Sequence, residues 1–223
     1  MRFRGPINVR IVNCLTKRPY FLIRACDLEL DAGSIERITR ICNEPDVYDW
    51  LFRKPLSGKP YPEGKARQWL EWARAGWSAN SHFIFAVISE AKDIAAACQI
   101  KSNEDVAEIG YWASHTHRGV MTNAVSAMCL LAANAGFREL YAYTDEGNTR
   151  SEAVLSRAGF VRVPDVRSDN RSRFELSLTG LPCKKVAPKR LPHPASLPVT
   201  HPAGAGGAPP VAADHWDATQ DDS

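Results

Sequence analysis

Glu108-Ile109-Gly110-Tyr111-Trp112-Ala113-Ser114-His115-Thr116-His117-Arg118-Gly119-Val120-Met121-Thr122-Asn123-Ala124 is the stretch whose reading decides the fold. Its start belongs to an extended run over Val106–Ala113, with Glu108, Gly110 and Trp112 on one face and Ile109 and Tyr111 on the other. A short polar loop follows. Gly119–Ala135 then carries Met121, Ala124, Val125, Met128 and Ala132 on one helical stripe, stopped by Gly136. A strand that passes through a loop directly into a helix presents unpaired N–H groups and the positive end of the helix dipole, which suits phosphate. Many such junctions bind nothing, so the pattern alone defines an anion site of modest specificity.

Upstream, the extended runs His82–Ser89, Ile94–Ile100 and Val106–Ala113 are separated by short polar turns and read as an antiparallel meander. Ile7–Val12 and Tyr20–Cys26 read as two earlier strands joined across Lys17-Arg18-Pro19. Between these groups, Ile35, Ile38, Ile41 and Cys42 predict a helix over Ser34–Cys42. A loop with Pro55, Pro60 and Pro62 leads to a second helix over about Glu63–Ala75. Downstream, Arg138–Thr144 reads as a strand and Asn148–Ala158 as a short helix ended by Gly159. Phe160–Val163 and Arg173–Leu178 read as the last strands. The order excludes a doubly wound nucleotide fold, because the middle strands have no crossover helices.

Composition bounds the rest. The chain has 223 residues, 44% apolar and 24% charged, as expected of a globular protein with one main domain. No apolar run approaches the ~20 residues of a membrane span, and the start does not read as a secretory signal. Net charge +3 is too small to announce nucleic acid or a membrane as partner. The 6 cysteines (Cys14, Cys26, Cys42, Cys98, Cys129 and Cys183) show no Cys-x-x-Cys, and no histidine pair has metal spacing. They predict reduced thiols, a cytoplasmic setting and no metal; Cys98 and Cys129, on apolar segments, read as core fillers. From Pro182 to Ser223 the chain turns rich in Pro, Ala and Gly, and reads as a disordered tail after a domain of residues 1–181. The basic Lys184–Arg190 run reads as part of that solvated tail.

A second informative segment is Glu146-Gly147-Asn148-Thr149-Arg150-Ser151-Glu152-Ala153-Val154-Leu155-Ser156-Arg157-Ala158-Gly159-Phe160. Together the two segments resemble the coenzyme-binding half of the GNAT acetyltransferases, and within them the RimJ/RimL-like branch of ribosomal-protein N-terminal acetyltransferases. The resemblance rests on Glu108–Trp112, on Met121-Thr122-x-Ala124, and on Asn148-x-x-Ser151 through Gly159-Phe160; it covers roughly residues 20–180. It implies a mixed α/β (α+β) fold with a central, mostly antiparallel, splayed sheet flanked by about four helices. It implies acetyl-coenzyme A as co-substrate and an amine acceptor, either a protein N-terminus or a small molecule, with the chain acting as monomer or homodimer. Two residues depart from the family's phosphate loop: Thr116 stands where Gln or Arg is usual, and His117 where glycine is usual. Arg118 and Gly119 fit.

By the same resemblance, the coenzyme contacts fall on Trp112, Ala113, Ser114, Thr116, His117, Arg118, Gly119, Val120, Met121, Asn148 and Ser151. A free N–H between Trp112 and Ser114 would serve the thioester carbonyl as an oxyanion donor. Glu108 is the candidate base, a role worth about 10²–10⁴-fold; a structural strand carboxylate is the alternative. The tyrosine that many of these enzymes use as acid is replaced by Leu155, and Ser151 is the candidate hydrogen-bond donor to the sulfur. Ser151 can also sit in a Thr149-x-x-Glu152 capping box, and Asn148 can be a cap, without excluding coenzyme contact. Trp50, Trp69, Trp72 and Trp77 either wall the acceptor pocket or pack the core. Rival readings are an acyl-coenzyme A sensor without turnover, and an interaction protein working through its tail.

Overall fold

The computed structural model describes residues 1–168 and 170–180. The tail from 182 to 223, with Cys183 and the basic run at 184–190, lies outside the described residues.

The elements are β1 (Asn8–Val12), β2 (Pro19–Arg24), α1 (Ala32–Cys42), α2 (Pro45–Leu51), α3 (Glu63–Ala79), β3 (Phe83–Ser89), β4 (Ile94–Ile100) and β5 (Val106–Ala113). They continue with α4 (Met121–Ala135), β6 (Glu139–Asp145), α5 (Thr149–Arg157), β7 (Val161–Ser168) and β8 (Arg171–Ser177). This is a mixed α/β fold around one 8-stranded sheet of order β1-β2-β3-β4-β5-β6-β8-β7. Every neighbouring pair is antiparallel except β5 and β6. Those two run parallel and pair only from Val106↔Glu139 to Glu108↔Tyr141. Beyond that rung each keeps its outer partner. β5 stays on β4 as far as Ala113, and β6 stays on β8 as far as Asp145. The sheet therefore opens into a gap between β5 and β6.

Period-2 alternation divides the side chains between two faces. Phe83, Phe85, Val87, Cys98, Ile100, Ala107, Ile109, Leu140 and Ala142 point to one side and form the main core with Val125, Met128 and Cys129 of α4 and Leu155 of α5. The opposite face takes Ile84, Ala86, Ala97 and Trp112, and α3 meets it: the Trp69 and Trp112 rings lie 5.8 Å apart. Trp69 is thus a core residue. Trp77 packs edge-on against Phe83 and Phe85 and donates to the Ile84 carbonyl, Trp72 stacks on His82, and Trp50 on α2 is exposed. Helix α3 runs a turn past the expected Ala75 because Gly76 carries no side chain where His82 packs: a Cβ there would lie 2.4 Å from the imidazole.

Helix α2 occupies part of the stretch the sequence reading left unassigned. Pro45 takes its first position and Asp46 its first turn, an arrangement that preorganises a helix start. Cys42, Cys98 and Cys129 are buried free thiols, and burial pushes the Cys129 thiol up to about 12. No helix among the described residues is long and apolar enough to cross a membrane. None of their His, Cys, Asp and Glu side chains form a group able to hold a metal ion.

Candidate functional site

The loop between β5 and α4 divides into two parts. In the first, every amide is used within the protein. Ser114 N–H donates to the Ala95 carbonyl (2.9 Å) and His117 N–H to the Ser114 carbonyl (3.0 Å). Thr116 N–H donates to Ser114 Oγ (3.3 Å) and His115 N–H to Glu44 Oε2 (2.6 Å). Ser114 Oγ in turn donates to Glu44 Oε1 at 2.7 Å, so Glu44, at the N-cap of α2, grips this half of the loop with both oxygens. The turn His115–His117 is a 3₁₀ helix at negative φ, so the departure from glycine at His117 costs the backbone nothing. The imidazole Nδ1 of His117 meets the Tyr20 hydroxyl at 2.9 Å, and burial holds its pKa below the usual histidine value.

In the second part only the Val120 amide is used, donating to the His117 carbonyl at 3.3 Å. The N–H groups of Arg118, Gly119, Met121, Thr122 and Asn123 have no acceptor among the described residues. α4 begins without a side-chain cap. Gly119 has φ +92, and a Cβ on it would lie 2.6 Å from Asn13 Oδ1 and 2.7 Å from Leu15 Cγ, so only glycine fits. The β1–β2 turn holds this curve from outside: Asn13 Nδ2 donates to the Arg118 carbonyl (2.8 Å) and Cys14 N–H to the Gly119 carbonyl (2.9 Å). Val120 and Met121 are buried and anchor the helix start in the core. The acceptor-free amides therefore cluster between residues 118 and 123, C-terminal to much of the set expected to hold the coenzyme.

Strand geometry also narrows the expected oxyanion donor. In the antiparallel β4–β5 ladder, Ser114 N–H and the Glu108 carbonyl are bonded to β4. Alternation then turns the backbone groups of Gly110 and Trp112 the same way, and those of Tyr111 and Ala113 toward the gap. Trp112 and Ser114 are thereby excluded as donors into the gap; Ala113 N–H points there.

Glu108 and Ser151 stand on opposite sides of β5. Glu108 shares its face with Trp112 and is held by Lys101, whose Nζ lies 2.7 Å from Oε1. On the other face, the Tyr111 hydroxyl lies 2.7 Å from Ser151 Oγ and donates to the Ser151 carbonyl at 3.0 Å. Burial pushes the Tyr111 phenol above its usual pKa, with the Ser151 contact opposing. Asn148 caps α5, its Oδ1 accepting from Ser151 N–H at 3.1 Å. The cap is Asn148 itself and not a Thr149–Glu152 box, because the helix starts at Thr149. Leu155 is fully buried.

Asp46 links the two junctions. It lies 2.5 Å from Arg150 Nη1 and 3.3 Å from Arg118 Nη2, and Arg150 first, then Arg118, holds its carboxyl below the usual range. Sequence reasoning missed Glu44, Asp46 and Tyr111 as parts of the site. Glu44-Pro45-Asp46 does carry a helix-start signal; nothing in the sequence pairs it with Arg118 or Arg150.

A family model described as an acetyltransferase (GNAT) domain matches residues 21–161, more than half of the chain. No curated protein matches it by sequence. Among solved structures, RimJ of Mycobacterium smegmatis in complex with CoA-disulfide superposes with a TM-score of 0.59 at 18% identity, covering 80% of this chain and 88% of that one. RimL, the ribosomal L7/L12 α-N-protein acetyltransferase in complex with coenzyme A, gives 0.59 at 14% identity over 75% and 97%. The microcin C7 self-immunity acetyltransferase MccE, with acetyl-CoA and AMP, gives 0.57 at 15% over 71% and 92%. At such identities these likenesses speak for the fold.

Proposed function

The chain belongs to the GNAT acetyltransferase family, and from that premise we propose that it moves an acetyl group from acetyl-coenzyme A to a protein N-terminus, by direct attack in a ternary complex. The observation that carries this reading is the set of five amides, those of Arg118, Gly119, Met121, Thr122 and Asn123, without acceptors among the described residues, beside the gap where β5 leaves β6. A helix start of this kind attracts a diphosphate by its N–H groups and its dipole together. The bound co-substrate supplies a thioester, and everything else is done by this chain.

Ala113 N–H donates into the gap, where charge develops on a carbonyl oxygen; losing one such donor typically costs 10²–10³-fold. Glu108 holds the acceptor's ammonium or the water that takes its proton. Oε1 is engaged by Lys101, and Oε2 has no hydrogen-bond donor among the described residues. An α-amine, with a reference pKa of ~7.7–8.0, asks less of such a carboxylate than a lysine at ~10.4. Ser151 Oγ is the donor toward the leaving sulfur. Its hydroxyl is set by Tyr111, whose single proton serves either the Ser151 carbonyl or Oγ. When it turns to Oγ, the serine's own proton is released from Tyr111. The RimJ/RimL-like branch accounts for this serine where other members carry tyrosine, and points to a peptide acceptor. Residues 1–181 constitute the working domain in this reading.

The test pairs calorimetry with a thiol-release assay over peptide, amino-sugar and polyamine acceptors. Glu108→Gln lowers kcat at least tenfold with little change in coenzyme affinity. Unchanged turnover removes Glu108 from the chemistry, and coenzyme binding without thiol release for any amine favours an acyl-coenzyme A sensor instead.

A further inference from the structure

The face of the sheet that carries Glu108 continues across β6 and β8. Tyr141 stands opposite Glu108 on the last paired rung of β5 and β6. Across the β6–β8 ladder Tyr141 faces Glu175, Tyr143 faces Arg173, and Asp145 faces Arg171. By strand alternation Tyr141, Tyr143, Arg171, Arg173 and Glu175 all lie on this face, while Leu140, Ala142 and Phe174 turn to the core. The Arg173 guanidinium lies 4.3 Å from the Tyr141 ring centre, and that of Arg171 5.3 Å from the Tyr143 ring. Such stacking holds an arginine flat and leaves its edge N–H groups free to bond.

The two arginines differ in their partners. Arg173 forms an ion pair with Glu175, its Nε 2.7 Å from Oε1, though the angle makes no hydrogen bond. Arg171 has no carboxylate partner among the described residues, and its Nη1 is withdrawn from solvent without an acceptor. A donor left so is costly, and the group that best fits a guanidinium edge is a carboxylate.

We propose that Arg171, seated on Tyr143 and flanked by Arg173, is the acceptor's anion subsite, and that the acceptor is a peptide with an acidic side chain near its N-terminus. The proposal rests on the acetyl-transfer reading above and names its substrate class. Tyr143 lies one strand spacing across and two residues along from Glu108, and the Arg171 guanidinium sits on its ring, which places that group roughly 10 Å from the Glu108 position. An extended peptide covers that distance in about three residues, which places the acid at the second or third position when the α-amine is beside Glu108. Asp145, Glu108 and Glu175 on the same face restrict the ligand to a single small anion and disfavour a polyanion such as nucleic acid. The subsite is a strip along two strands, a shape that suits an extended chain.

The experiment uses the full-length protein and hexapeptides that differ only in carrying Asp, Asn or Lys at the third position, assayed by thiol release. The wild type favours the Asp peptide over the Asn peptide by at least tenfold in kcat/KM, chiefly through KM, and disfavours the Lys peptide further. Arg171→Ala removes the preference by raising KM for the Asp peptide to that of the Asn peptide, whereas Arg171→Lys keeps part of it. Coenzyme affinity, measured by calorimetry on each variant, stays at the wild-type value and reports an intact fold. Equal kcat/KM for Asp and Asn peptides in the wild type, or a preference that survives Arg171→Ala, overturns the subsite while acetyl transfer stands. A preference for free amino acids over all the peptides overturns the peptide acceptor. Coenzyme binding without acetylation of any amine overturns the transfer reading and the subsite with it.

Discussion

Ser114–His117 and Arg118–Asn123 are adjacent halves of one loop, and they use their backbone in opposite ways. The first half bonds all its amides internally, two of its groups to Glu44. The second leaves five amides without acceptors among the described residues and bends through a glycine at φ +92. One half is scaffold; the other is ready for an anion. The difference teaches that a strand–loop–helix junction becomes a phosphate site only where the protein declines to satisfy its own backbone, and that a neighbouring stretch must be over-satisfied to hold the open one in place.

Gly119→Val breaks the comparison hardest. A branched side chain at positive φ costs roughly 1–2 kcal/mol in the backbone alone, and its Cβ meets Asn13 and Leu15. Coenzyme affinity falls by about a hundredfold, or ~2.7 kcal/mol, in calorimetry. Retention of wild-type affinity would show that the curve at Gly119 is not the binding element. Glu44→Ala acts on the other half. It strips the acceptors from Ser114 Oγ and His115 N–H, where charge-assisted bonds are worth about 1.5–3 kcal/mol each. The melting temperature falls by several degrees, while coenzyme affinity drops only a few-fold because the amides of Arg118–Asn123 remain. Were Glu44→Ala to damage affinity as much as Gly119→Val, the division of the loop would be wrong. The smallest effect belongs to Arg118→Ala. This side chain is 58% exposed and shares Asp46 with Arg150, so affinity weakens about two- to fivefold, and the loss shrinks as salt rises. A loss independent of salt would argue against a direct charge role.

The same contrast separates what was readable in the chain from what was not. Period-2 runs and the helical stripe from Met121 to Ala132 placed most strands and helices, and Gly119 was legible as the loop's glycine. Helix α2 escaped because seven residues are too short for periodicity to speak, even with Pro45 at its start. The resemblance of Glu108–Trp112 and of Asn148–Phe160 pointed to the segments beside the gap, but the N–H groups of Ser114, Thr116, His117 and Val120 among its expected contacts are used within the protein. The Tyr111 contact with Ser151 joins a strand to a helix 40 residues away, and no local pattern encodes it.

By itself, then, the sequence determined whatever depends on neighbours along the chain: which segments are extended or helical, where a glycine must turn, and which short motifs mark the family. Tertiary structure alone decided which backbone groups stay free, that Glu108 is bound to Lys101, and that Arg171 faces the same side as Glu108 without an ion pair among the described residues. The reason is physical. Propensity and periodicity act within a few residues, whereas the satisfaction of a donor depends on whichever distant acceptor the fold brings within about 3 Å.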